Sequence, residues 1–263
     1  MSAFTLYTPR DSGLHRLHPF TKLTLTLLGV ITAVTLPGVW PNYTAFALFL
    51  LPVAAWGRIG RRLVQAVWPI LWPFAVSLFV IQGLFWTGGT PIASLGPLSL
   101  KQEGVLFAAA MTGRILLLIS SFLLLSLATR PDALMNALTA RGLPHKLAYV
   151  ILAAIQIVPR FQAKAETIAA AQQSRGLETQ GNLLRRARAL LPLLAPLILG
   201  SLIDVEERAI ALEARGFGRT VPRTSLIVLT EQPWEKAARA LLLLLAVALI
   251  AGRLALAFGF FAA

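Results

Sequence analysis

From Gly104 to Leu127 the chain carries a single charged residue, Arg114, and this run constrains the fold more than any other feature. A helix of about 20 apolar residues crosses the ~30 Å hydrocarbon core of a bilayer. A run this long has no other solvent that suits it so well. Val64 to Trp86 is equally apolar, with Pro69 and Pro73 expected to kink it. Leu241 to Phe261 forms a third run. Two shorter runs, Leu23 to Leu36 and Tyr43 to Trp56, flank a Pro37–Asn42 breaker, and read as short spans or as one hairpin within the membrane. The segment Thr87–Leu100 is rich in Gly and Pro and is expected to be a loop.

The whole composition agrees. Hydrophobic residues make up 57% of the 263 and charged ones 13%, about half the charge of a soluble domain. The expected class is an all-α integral membrane protein of about five transmembrane helices plus a helical cytoplasmic domain. Three parts are expected: an N-terminal membrane part over 1–128, a polar coupling domain over 129–239, and a C-terminal transmembrane helix over 240–263. The net charge of +13 is explained by basic cytoplasmic loops rather than by nucleic acid, because the Lys and Arg flank apolar spans and lack interleaved aromatics. Arg10, Arg16 and Lys22 precede the first span and Arg58, Arg61 and Arg62 follow the second, which places the N-terminus in the cytoplasm. No continuous apolar stretch precedes Lys22, so a cleaved signal peptide is not expected.

Chemistry is sparse. There is no cysteine, hence no disulfide or thiolate metal site. His15 and His18 are three residues apart but have no third ligand nearby, so surface or interfacial histidines are expected and no metal. None of the five lysines follows a glycine, which excludes a Walker A phosphate loop. No catalytic residues and no cofactor are expected. Arg114, near the middle of its span, costs on the order of 3 kcal/mol to insert and is expected to make a structural contact inside the bundle. Small residues over Ala108–Gly113 permit close helix packing.

One pattern occurs twice in the polar region, which holds fifteen of the 24 basic residues. The segment 165–176 (AETIAAAQQSRG) aligns without gaps to 205–216 (VEERAIALEARG), matching at Glu166/Glu206, Ala169/Ala209, Ala171/Ala211, Arg175/Arg215 and Gly176/Gly216. A basic residue and a glycine at a helix end are ordinary C-capping chemistry. The repetition supports a second reading. Small residues keep each helix end slim, at Ala171 and Ser174 in one copy and Ala211 and Ala214 in the other. The Arg then offers a planar charged fork to a groove on another protein.

These motifs resemble the transmembrane T component of energy-coupling factor importers, the CbiQ/BioN/EcfT-like family. The segment Ser12 to Lys22 (SGLHRLHPFTK) resembles the family's S-x-x-H-x-L-D-P-x-x-K, with His18 in place of Asp. The segment 95–104 (LGPLSLKQEG) and Arg114 fall where the family has a loop and an intramembrane Arg. The segments 157–161 (IVPRF) and 171–176 (AQQSRG) resemble its first coupling motif, and 211–218 (ALEARGFG) its second. The resemblance implies a non-catalytic subunit that joins two cytoplasmic ABC-type ATPases to a small membrane S component taking up a vitamin or transition-metal ion. Ala171, Ser174, Arg175, Gly176, Ala211, Ala214, Arg215 and Gly216 would then meet the ATPases. It further implies a bacterial or archaeal cell membrane and contact with membrane lipid. The alternative is a conventional ABC permease subunit that forms the substrate path itself.

Overall fold

A computed structural model describes residues 12–95, 98–177, 183–219 and 231–259. Outside them lie residues 1–11 (with Arg10) and 96–97 of the expected N-terminal part, 178–182 and 220–230 of the expected coupling domain, and 260–263 of the expected C-terminal helix. The chain is helical nearly throughout. In order come α1 (Gly13–Arg16), α2 (Pro19–Thr35), α3 (Trp40–Ala45), a π-helical turn (Phe46–Leu50), α4 (Leu51–Trp56) and α5 (Gly60–Phe85). After two short strands follow α6 (Gln102–Ala128), α7 (Pro131–Ala140), α8 (His145–Ser174), α9 (Leu183–Ala214) and α10 (Pro233–Gly259). Contacts among the described residues divide into two compact units, one drawn from 12–137 with 231–259, the other from 138–219.

In the first unit, α5, α6 and α10 are long and apolar enough to cross a membrane, and α2 is a shorter apolar helix. The most deeply buried is α6, which packs against α2, α3 and α5. Its Leu117 and Leu124 join Leu25, Ala33, Leu50 and Leu63 in the core. By contrast α5 and α10 leave Trp68 60% and Leu244 67% exposed. In water that surface would be a liability. In a bilayer it is the surface that lipid tails solvate.

Small residues set the helix spacing. A Cβ at Gly113 would come within 2.8 Å of the Tyr43 ring, and the Tyr43 hydroxyl donates to the Ala109 carbonyl at 3.0 Å. A Cβ at Gly29 would strike the Ser121 side chain. The run Ala108–Gly113 thus does the packing that its composition predicts.

Three local expectations change. The Gly/Pro segment is not all loop: Pro91–Leu95 pairs antiparallel with Leu98–Lys101. Glu103 ties the hairpin down, accepting from the Thr90 amide (3.0 Å) and hydroxyl (3.1 Å). The apolar segments 147–158 and 190–203, which their prolines mark in the sequence as two short helices, are parts of longer ones, for α8 and α9 run on through Pro159, Pro192 and Pro196. A proline removes one backbone bond, and the long helix on either side tolerates that loss. His18, expected to be a surface or interfacial histidine, is buried at 7% exposure. It caps α2 by accepting from the Phe20 amide at 3.3 Å, and its ring lies 3.4 Å from the Glu231 carboxylate.

Candidate functional site

The second unit is built on α8 and α9, whose C-terminal ends carry the repeated arginines. At the first end the Gly176 amide donates to the Gln173 carbonyl (2.9 Å) and the Leu177 amide to that of Gln172 (3.0 Å). At the second, Gly216 donates to Glu213 (2.8 Å) and Phe217 to Leu212 (2.9 Å). These are the paired bonds of a Schellman stop, and they need a left-handed residue just past the helix. Gly176 and Gly216 supply it with φ of 87° and 72°. The same sequence letters thus build the same geometry twice. Ala171, Ser174 and Arg175 on one end, and Ala211, Ala214 and Arg215 on the other, are all exposed.

A third copy escaped the sequence reading. Ala140-Arg141-Gly142-Leu143 ends α7 with the same bonds, Gly142 to Thr139 (3.1 Å) and Leu143 to Leu138 (3.1 Å), and Gly142 has φ 104°. The alanine four positions before the Arg separates the copies. Ala137 is 1% exposed, so the slim face of α7 is spent on packing, whereas Ala171 and Ala211 face outward. Capping chemistry and packing account for the α7 end. The other two exposed faces are left without a packing role.

The two helices are cross-tied upstream. The Lys164 ammonium lies 2.7 Å from the Asp204 carboxylate and also donates to the Gly200 carbonyl at 2.7 Å. A Cβ at Gly200 would come within 2.8 Å of that ammonium, so any larger residue there would push the lysine's end aside. Lys164 and Asp204 hold equivalent places in the forty-residue repeat, one position ahead of the aligned segments. Each is eleven residues before its arginine, which makes each arm about 16 Å long at 1.5 Å per residue. The second arm is also braced at its tip, where Phe217 tilts against Tyr149 with ring centroids 4.9 Å apart. Between the helices lies an apolar cavity of about 290 Å³ lined by Tyr149, Ile157, Phe161, Val205 and Leu212, with Arg160 and Arg208 among its polar neighbours.

Arg114 lies in the other unit. Its Nε donates to the Ala33 carbonyl at 3.1 Å, in the last turn of α2. That carbonyl belongs to a helix end that lacks intrahelical donors. A cation there also meets the negative end of the helix dipole. Among the described residues no group of three or more His, Asp and Glu could hold a metal ion.

Comparison with known proteins gives a consistent picture. Residues 10–226 match the family model described as cobalt transport protein, CbiQ. A protein of Leuconostoc gelidum named energy-coupling factor transporter transmembrane protein EcfT is 33% identical over 251 residues, covering 90% of this chain and 91% of its own length. A protein of the same name from Listeria innocua is 32% identical, covering 92% and 93%. Another from Heliobacterium modesticaldum is 33% identical over 227 residues, covering 81% and 85%.

Proposed function

The chain belongs to the CbiQ family of cobalt transport proteins, and on that premise we propose that it is the transmembrane coupling (T) subunit of an ECF-type ABC importer. In this reading two cytoplasmic ATPases bind and hydrolyse ATP, a small membrane S component captures a vitamin or transition-metal ion, and this chain transmits motion between them. It performs no catalysis. The observation that carries the reading is the pair of Arg-Gly ends, alike in geometry and exposed on their slim faces.

The mechanics follow from the side chains. An arginine at a slim helix end enters a groove and meets carboxylates or carbonyls with a rigid, permanently charged fork. Two such ends fit two like surfaces, which is the geometry a symmetric ATPase dimer offers. Relative movement of the ATPases then acts on each arm as a lever about the Lys164–Asp204 tie. The N-terminus and the polar unit lie in the cytoplasm of a bacterial or archaeal cell, where the ATPases are.

Purification of the native complex tests this reading. Under mild detergent the chain should bring down two ATPase copies and one small, strongly apolar protein. Recovery without any ATPase, or with one ATPase and no small membrane partner, contradicts it.

A further inference from the structure

We propose that a small cationic cavity at one end of the membrane unit binds the phosphate of an anionic phospholipid headgroup. The cavity, about 110 Å³, opens where the start of α2 meets the end of α6. Arg16, Lys22 and Arg130 line it with His15, His18 and Thr129, and no carboxylate lines it among the described residues. A cavity of this volume has room for a phosphate group.

Three side chains point to an anion. Thr129 is 7% exposed, and its buried Oγ1 has no hydrogen-bond partner among the described residues. A buried hydroxyl left unpaired is destabilising, and a phosphate oxygen would satisfy it. Lys22, 4% exposed, spends two of its three N–H groups on the carbonyls of His15 (3.0 Å) and Ala128 (2.8 Å). The third remains for a ligand. Arg16 is exposed, and its guanidinium has no partner among the described residues. The neighbouring carboxylates are already engaged. Asp132 takes both arms of Arg130 (3.0 and 2.7 Å), Glu231 pairs with Arg239 (2.9 Å), and Glu235 accepts from the His18 amide (3.0 Å).

Position selects the source. The cations flank the ends of two apolar helices, at the level where basic residues meet the negative surface of the cytoplasmic leaflet. A lipid phosphate is held at that level by its own acyl chains. Soluble phosphate has no such advantage.

The test is native mass spectrometry of the purified chain with phosphatidylglycerol or phosphatidylcholine added to the detergent. The wild type should retain one phosphatidylglycerol under activation that strips phosphatidylcholine. Arg16→Gln should lower that retention about fivefold, the share of one surface cation, and addition of Thr129→Val should lower it further. Arg61→Gln, an exposed arginine elsewhere, should change nothing, and excess inorganic phosphate should not displace the lipid. Equal retention of both lipids, unchanged retention in Arg16→Gln/Thr129→Val, or displacement by inorganic phosphate alone would overturn the proposal. If the double variant fails to fold, the exposed Arg16→Gln carries the test by itself.

Discussion

Lys164 and Asp204 pair at 2.7 Å from equivalent positions of a forty-residue repeat, so α8 and α9 are tied at the same point along each arm. Both side chains are partly exposed, and such a pair contributes only about 0.2–1 kcal/mol to stability. In the proposed coupling role its value is positional, because it sets where the two helices meet.

That distinction yields a charge-swap test. Lys164→Asp or Asp204→Lys alone places like charges together and should reduce substrate uptake several-fold, with thermal stability in detergent changed little. The double swap should restore much of the uptake. Loss of uptake that is merely additive across the two swaps would show that the tie has no mechanical role.

The third Arg-Gly end provides an internal control. Arg141→Ala, Arg175→Ala and Arg215→Ala each remove a cation from a Schellman-capped end of the same chemistry, worth about 0.3–1 kcal/mol to the helix. Stability should fall modestly in all three. ATPase retention on an affinity column should fall only in the variants at 175 and 215, since the slim face before Arg141 is already buried.

Arg114 is predicted to act on the fold and not on the coupling. Its bond to the Ala33 carbonyl caps α2, and replacement by Met should lower stability by about 1–3 kcal/mol, read as the unfolding midpoint in detergent. The fraction that folds should still bind the ATPases. A stable Arg114→Met variant that has lost the ATPases would assign this residue to coupling instead.

How far the sequence was legible depended on which physical signal each feature carried. The long spans were plain, because a run such as Gly104–Leu127 has no good alternative to lipid. Both Arg-Gly ends were visible as a repeat, and their glycines proved to hold the positive φ that a Schellman stop demands. The Pro91–Lys101 hairpin was hidden behind Gly and Pro, which signal a turn without saying whether its flanks pair. The burial of His18 was hidden too, for its partners Glu231 and Glu235 lie more than two hundred residues away. The cross-tie could have been found. Lys164 and Asp204 stand one residue ahead of the aligned segments with opposite charge, and extending the alignment by one position exposes the pair.

Retention of the ATPases by the double variant Arg175→Ala/Arg215→Ala bears most directly on the coupling reading. Truncating one partner of a buried charge pair costs about 2–5 kcal/mol, so each single change should weaken assembly and the double change should strip both ATPases from the detergent-purified complex. Lys at both positions should restore retention only in part, keeping the charge without the planar fork. Full ATPase retention and normal uptake in a correctly folded double Ala variant would contradict the account, and would leave both arginines as helix stops.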